Sequence, residues 1–273
     1  MERYALCHTM ERYALCRNSV IPQVFSLGPV ALIVAHPDDE TISAGGILSC
    51  IGQLVHVTDG APRAFGDRRR EYARQRREEL LAALKIAGVP AGKTRTLDYI
   101  DQEASLDLTG LARRIAEILQ EFRPAAVLTH PYEGGHPDHD ATAFGVHMAC
   151  ALQNVAAPIY EFTSYHAAIG GAGFQPGFQP AMQTGCFLPG QDPGEPVVLS
   201  PAERERKTRM VACFVSQQEV LHNFAIGEER FRRAPAYDFT SPPHPGKLFY
   251  ENFDWGITGE RWRRLVEEAL EAA

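Results

Sequence analysis

The sequence predicts a single α/β domain built on a doubly wound, mainly parallel sheet with helices on both faces. Three observations predict it. Short apolar, β-branched runs alternate from Val30 onward with longer segments of helical period, which implies parallel strands joined by right-handed crossovers. Two of those runs, Val30 to Ala35 and Ala125 to Thr129, break off into imidazoles and carboxylates, as buried strands do when their C-terminal ends reach solvent. If the first three strands step outward one way and the fourth returns beside the first, those two ends become neighbours at the switch point, where open α/β sheets bind ligands.

Residues 1–28 form an N-terminal extension. It carries a tandem repeat, Met1-Glu-Arg-Tyr-Ala-Leu-Cys7 and Met10-Glu-Arg-Tyr-Ala-Leu-Cys16, which is too short for a solenoid and carries no functional weight. The domain proper spans 29–273. After the opening strand, Thr41 to Ile51 reads as a helix whose small residues let it lie close on the sheet. Leu54 to Thr58 is a second strand, left through the Asp59-Gly60 turn. Asp67 to Gly88 is a long helix stopped by Gly88 and Pro90. Thr94 to Tyr99 is a third strand ending near Asp101-Gln102, and Asp107 caps a helix over Leu108 to Phe122. The strand from Ala125 follows, then a helix from Pro137 to about Asn154, in which His147 is expected to pack rather than ligate.

Ile159 to Tyr165 is a plausible strand. The Gly- and Pro-rich run 169–180 forbids regular structure, and its two phenylalanines suit either a lip over a site or a plain surface loop. Pro201 to Leu221 reads as one helix. Residues 232–257 read as an extended segment wrapping the body, and Gly259 to Ala273 as a final amphipathic helix.

Bulk properties narrow the function classes. The 273 residues are 45% hydrophobic and 22% charged, ordinary for a soluble globular chain. A net charge of −7 gives no global attraction for nucleic acid or anionic lipid and suits a neutral or cationic small molecule. The most basic run, Arg68 to Arg77, is interleaved with Glu71 and followed by Glu78 and Glu79, so a solvated face is expected rather than a nucleic-acid patch. No apolar stretch is long enough to span a membrane and no secretory layout opens the chain, so a cytoplasmic location is expected. The six cysteines are scattered without a C-x-x-C pair, which favours reduced thiols; Cys50 and Cys150 read as small core residues. The sequence does not fix the oligomeric state.

The chemistry concentrates in two stretches. In His36-Pro37-Asp38-Asp39-Glu40, a histidine and a carboxylate three apart on one tight turn can aim at one metal ion, leaving a neighbouring carboxylate free as a base. A capping turn is the competing explanation. The second stretch, His130-Pro-Tyr-Glu133-Gly-Gly-His136-Pro137-Asp138-His139-Asp140, repeats the His-Pro-Asp pattern at another strand end. Packing does not ask for imidazoles at matched strand ends, so capping alone does not explain the pair.

These two motifs, at residues 36–40 and 136–139, resemble the paired motifs of the LmbE/PIG-L family of metal-dependent N-acetylglucosaminyl deacetylases, with similarity from about Val30 to Gln153. The resemblance implies that His36, Asp39 and His139 ligate a metal, that Asp38 is the general base and that His136 faces the developing oxyanion. It further implies that Arg76 and Asp101 touch the substrate, an N-acyl amino sugar or glycoconjugate, and Lys207 and Ser216-Gln217 look like a weaker signature of the family. A divalent ion held by two histidines and one carboxylate stays positive enough to acidify a water and polarise an amide carbonyl. Zn2+ fits that ligand set best, and Fe2+ or another divalent ion is also accommodated. Asp138 is a candidate for setting the charge and orientation of a protonated His136. Should Asp38 not be the base, Glu133 is the next carboxylate, and His130 or His136 the next third ligand. Two rivals remain: a dinucleotide-binding enzyme, which lacks its G-x-G-x-x-G after the first strand, and a binding protein of the same fold without catalysis.

Overall fold

The structure is a computed structural model that describes residues 24–153, 157–168 and 182–272. The N-terminal repeat, with Cys7 and Cys16, and the Gly- and Pro-rich run 169–180 lie outside the described residues. Strands β1 (Val30–Val34), β2 (Gln53–Pro62), β3 (Thr94–Asp101), β4 (Ala126–Thr129) and β5 (Ile159–Phe162) form a sheet with β8 (Glu195–Val198) and β9 (Glu228–Arg233), in the order β3-β2-β1-β4-β5-β9-β8. Every pairing from β3 to β5 is parallel, and β9 adds antiparallel to β5 and to β8. The expected return of the fourth strand beside the first is therefore what the chain does.

Alternation along β1 divides the core. Val30, Leu32 and Val34 pack on one face with Ile42 of α1 (Asp39–Ala44), Leu80, Ala83 and Leu84 of α2 (Arg69–Ala87) and Met210 of α5 (Pro201–Val211). Ala31 and Ile33 turn to the other face. They meet Leu111 and Ile115 of α3 (Leu108–Phe122), Phe144 of α4 (Pro137–Leu152) and Trp262 and Val266 of α7 (Gly259–Glu271). Because β1 is covered on both sides, it reads as a continuous apolar run without polar alternation.

Several elements differ from expectation. The first helix ends at Ala44, and a 3-10 turn over Leu48–Cys50 follows. The chain is pressed there: a Cβ on Gly45 would lie 2.5 Å from the Thr41 carbonyl oxygen. Cys50 in that turn is half-buried, whereas Cys150 is in the core. The strand expected over 159–165 stops at Phe162, and Tyr165 opens β6 (Tyr165–Ala167), which pairs with β7 (Met182–Thr184) in a separate ribbon. The helix expected over 201–221 breaks after Val211 into a 3-10 turn, Val215–Gln217, and the short α6, Gln218–Leu221. Strands β8 and β9 are missing from the sequence reading, because β8 is a four-residue edge piece that contains Pro196 and β9 carries five charged residues among its six. His147 packs against Tyr237 and Phe239, as expected. Two bonds tie the chain after β9 to the second motif: Tyr132 donates to the Ser241 carbonyl oxygen at 3.0 Å, and the Trp262 indole of α7 donates to the Pro137 carbonyl oxygen at 3.2 Å. Both bonds fix the turn that carries the second motif.

Candidate functional site

The parallel register of β1 with β4, Leu32 opposite Leu128, brings Ala35-His36 and Thr129-His130 to one edge of the sheet. The His130 Nε2 atom accepts from the Ala35 backbone N–H at 3.1 Å, which ties the two strand ends together. Beyond β4 the chain doubles back through Glu133-Gly134-Gly135. Gly135 is needed there because a Cβ would lie 1.9 Å from the Tyr165 carbonyl oxygen. His136 then caps α4: its Nδ1 accepts from the Asp138 N–H at 3.1 Å with Pro137 in the first turn, a favourable N-terminal arrangement.

The three residues expected to ligate converge. His36 Nδ1 lies 3.2 Å from His139 Nε2 and 3.3 Å from Asp39 Oδ2, and His139 Nε2 lies 3.4 Å from Asp39 Oδ1. Donor atoms about 2.0–2.1 Å from a tetrahedral ion stand ~3.3 Å apart, so the spacing suits one cation. The outer nitrogens are engaged from behind, as ligand histidines usually are. His139 Nδ1 meets Ser164 Oγ at 3.1 Å, and His36 Nε2 faces Asp101 at 3.1 Å and Asp138 at 3.2 Å. Three further groupings share these residues, the first of His130 with Asp39 and His139, the second of His36 with His136 and His139, the third of His36, Asp101, His136 and Asp138. In the first of them His130 Nε2 already accepts the Ala35 N–H, which leaves that lone pair committed.

Electrostatics differ sharply among these neighbours. Burial works to raise Asp39, but His139 and His130 outweigh it and hold the carboxyl well below its usual range. Burial opposes a charge on His36, yet Asp101, Asp138 and Asp39 hold it well above the ordinary imidazole value. His139 is pushed down to about 3 by burial and by His130. His136 is likewise held well below its usual value, by burial first and then by His36. It is therefore neutral here, contrary to the protonated state entertained from sequence. Its Nδ1 accepts a backbone N–H, so the assigned tautomer carries the proton on Nε2.

Asp38 is buried beside the converging donors. Burial pushes its carboxyl up to about 8, against the pull of Arg76. The Arg76 guanidinium donates to Asp38 Oδ2 at 3.0 Å, to the Pro37 carbonyl oxygen at 2.6 Å and to the Gly60 carbonyl oxygen at 3.2 Å. Gly60, at φ 67, leaves the room: a Cβ there would come 3.0 Å from the Arg76 guanidinium carbon. The Asp138 carboxylate accepts from Gln102 N at 2.6 Å and Ala104 N at 3.0 Å and faces His36 at 3.2 Å, and its Oδ2 also lies 3.9 Å from His136 Nδ1. The carboxylate nearer His136 Nε2 is Asp101, at 3.7 Å. Glu133, the alternative base, is turned away from this cluster toward the Leu188 N–H.

A cavity of about 170 Å³ opens over the cluster, lined by His36, Asp38, Asp39, Arg76, Asp101, His136 and His139. Its rim adds Tyr165, Gln217, Phe224 and Trp255, none of which the sequence reading placed there, although Gln217 was noted in the weaker signature. Ser164 and Tyr165 were legible in principle, since they follow the next parallel strand at the same edge. Trp255 gave no signal, because it arrives from a long irregular segment. Of the basic run, Arg68, Arg70 and Arg74 are exposed while Arg76 is buried, so only Arg76 turns to the cavity. Among the described residues no helix is long and apolar enough to cross a membrane.

Comparison with known proteins gives a consistent picture. Residues 31–150 match the family profile described as PIG-L, GlcNAc-PI de-N-acetylase. A probable N-acetyl-alpha-D-glucosaminyl L-malate deacetylase 2 of Bacillus anthracis is 28% identical over 138 residues, 45% of this chain and 59% of that protein. A 1D-myo-inositol 2-acetamido-2-deoxy-alpha-D-glucopyranoside deacetylase of Mycobacterium sp. (strain KMS) is 31% identical over 153 residues, 44% of this chain and 50% of that protein. The chain thus spans between half and three-fifths of the length of these relatives. Among solved structures, the zinc-inhibited form of teicoplanin deacetylase Orf2 superposes with a TM-score of 0.54 at 20% identity, covering 77% of this chain and 100% of that one. At that identity the likeness establishes the shared fold.

Proposed function

We propose, from the match of residues 31–150 to the PIG-L family profile, that the protein is a metal-dependent hydrolase that removes an acyl group, acetyl above all, from the nitrogen of an N-acylated amino sugar. The observation that carries this reading is the convergence of His36, Asp39 and His139 within 3.2–3.4 Å of one another, beside one carboxylate that is not part of the trio. His36 Nδ1, Asp39 and His139 Nε2 would hold a divalent ion, with Zn2+ the best match to two imidazoles and a carboxylate and Fe2+ an acceptable one. Bound there, such an ion supplies Lewis acidity that polarises the amide carbonyl and makes a water easier to deprotonate.

The chain's own residues do the rest. Asp38 takes the proton of the attacking water and returns it to the amine that leaves, since its carboxylate faces the cavity and Arg76 holds its direction. His136 presents a neutral Nε2–H to the carbonyl oxygen as negative charge grows on it, a donor fixed in advance by the backbone bond to its Nδ1. Asp138, through His36, and Ser164, through His139, keep the two imidazoles in their orientations. Asp101 lines the cavity with an accepting oxygen suited to a sugar hydroxyl. Arg76 reaches the same cavity, although Pro37, Gly60 and Asp38 already occupy its donors.

The two curated relatives share an acetamido-glucose unit in their names and differ in what it is attached to, malate or myo-inositol. That pattern supports the acetamido sugar as the recognised part and leaves the attached group open. A dinucleotide is a poor rival, because the turn after β1 presents Asp38, Asp39 and Glu40 where a pyrophosphate would need backbone N–H groups and no acids. No role in nucleic-acid binding is assigned, and a soluble location in the cytoplasm fits the chain best. The test is a panel of acetylated amino sugars and their glycosides offered to the metal-loaded protein, read by free amine. Release from at least one 2-acetamido sugar is expected; no release from any member, with metal bound, overturns the reading.

A further inference from the structure

The last residue of the first motif, Glu40, has no task in the chemistry above. It is fully buried in the first turn of α1, and His56 is buried in the middle of β2. A buried carboxylate is tolerated only when partners satisfy it, and the partners here are specific. Glu40 Oε2 lies 3.0 Å from His56 Nε2 and accepts the Asp38 backbone N–H at 3.0 Å, while Oε1 accepts from Thr41 Oγ1 at 2.6 Å. The other His56 ring nitrogen, Nδ1, has no hydrogen-bond partner among the described residues. The imidazole's polar contact is therefore with Glu40.

Asp38 shows what this arrangement holds. Its backbone sits at φ 140 and ψ −29, a conformation that L-residues rarely adopt and that persists only where the surroundings over-determine it. The peptide joining Pro37 to Asp38 is gripped at both ends. Its carbonyl oxygen accepts from Arg76 at 2.6 Å, and its N–H donates to Glu40. A cation on one side and an anion on the other thus fix one peptide plane, and that plane sets where the Asp38 carboxylate points.

We infer that Glu40 and His56 form a positioning pair for the general base: Glu40 holds the strained Asp38 peptide by its N–H, and His56 holds Glu40. The pair touches neither the cavity nor the substrate. The inference rests on Asp38 being the base, and its test has one arm that does not depend on that reading.

The variants are His56→Leu, which removes the donor at similar size, His56→Gln, whose side-chain N–H can still reach Glu40, and Glu40→Leu, which removes the acceptor of the Asp38 N–H. In a crystal structure of His56→Leu, the Pro37–Asp38 peptide is expected to rotate so that Asp38 leaves its positive φ. Asp38 found unmoved and still bonded to Glu40 overturns the proposal whatever the substrate is. In amine-release kinetics, His56→Leu and Glu40→Leu are expected to lose about ten- to a hundredfold in kcat, as a displaced catalytic group does. KM should stay within about twofold and metal content should match wild type. His56→Gln should recover most of that loss, which a purely structural role would not require. Unchanged kcat, or a loss that tracks missing metal, contradicts the assignment. If the wild-type protein releases no amine from any acyl sugar, the functional reading fails on its own and the crystallographic arm still decides the positioning role. Should His56→Leu not fold, Glu40→Leu is judged by the same φ and the same kinetic split.

Discussion

Replacing Asp38 by Asn removes a proton acceptor while leaving almost every contact in place. The amide oxygen can still receive the Arg76 donor that Asp38 Oδ2 receives at 3.0 Å, and the Arg76 bonds to Pro37 and Gly60 do not involve the side chain. Loss of one partner of a buried ion pair commonly costs about 3–5 kcal/mol. The cost here should fall below that range, because Asp101 also faces Arg76 and because the carboxylate's own burial, which pushes it up to about 8, is relieved. Asp38 lies outside the convergent trio, so metal content should match wild type. Turnover should not: general acid–base catalysis contributes roughly 10²–10⁴, equivalent to about 3–5 kcal/mol in the barrier. The assay is amine release at saturating acetamido sugar, with circular dichroism melting and elemental analysis on the same preparation. Near-normal turnover with metal bound would refute the assignment. The carboxylate to test next would then be Asp101, which lines the cavity, since Glu133 is turned toward Leu188.

His136→Ala should keep metal and fold but lose about 10²–10³ in kcat, the effect of removing one preorganised donor to an oxyanion; a rise in KM with kcat intact would make it a binding residue instead. Asp140 offers a stability test. Burial pushes its carboxyl up to about 8, and its Oδ1 accepts the N–H groups of Glu133 and Gly134 at 3.2 and 3.1 Å. Asp140→Asn keeps that acceptor and should melt close to wild type at acid pH, where both side chains are neutral, whereas Asp140→Ala leaves two buried donors unpaired and should cost about 2–4 kcal/mol. The sign of the pH dependence follows from the raised value. The folded state keeps a proton that the unfolded state releases, so wild type should lose stability relative to Asp140→Asn as pH rises from 3.8 toward about 8. A constant difference in denaturant midpoints across that range would show that the carboxyl is not raised.

Much of this was legible because the relevant signals are local. The apolar runs of β1 and β4 have no polar alternation, which is what a strand covered on both faces must look like, and the matched motifs at their ends only make sense as neighbours. From there the order of the first four strands follows, while the choice of His36, Asp39 and His139 among the motif residues is what the resemblance to the LmbE/PIG-L motifs implies. What the sequence did not disclose depends on long-range packing. Strand β8 is a four-residue edge piece and β9, paired between β5 and β8, carries charges that match no periodic template. Asp138 was read by adjacency as the partner of His136, and its carboxylate does lie 3.9 Å from the His136 Nδ1, but its hydrogen bonds go to Gln102, Ala104 and His36, which only the fold brings near. Arg76 looked like one more member of a solvated basic helix or a substrate contact. Only the fold shows it reaching across to the Pro37–Asp38 peptide. Trp255 reaches the cavity rim at the end of a proline-rich path with no period at all.

The central claim is that one divalent ion is held by His36, Asp39 and His139 and is needed for amide hydrolysis. The most direct measurement is elemental analysis of wild type and His139→Ala after dialysis against the same buffered metal, paired with amine release from an acetamido sugar. The expected result is one equivalent of divalent ion in wild type, lost together with activity in the variant. Undiminished metal in His139→Ala would contradict the ligand set and move the third position to His130 or His136. Full activity in metal-stripped wild type would contradict the mechanism itself.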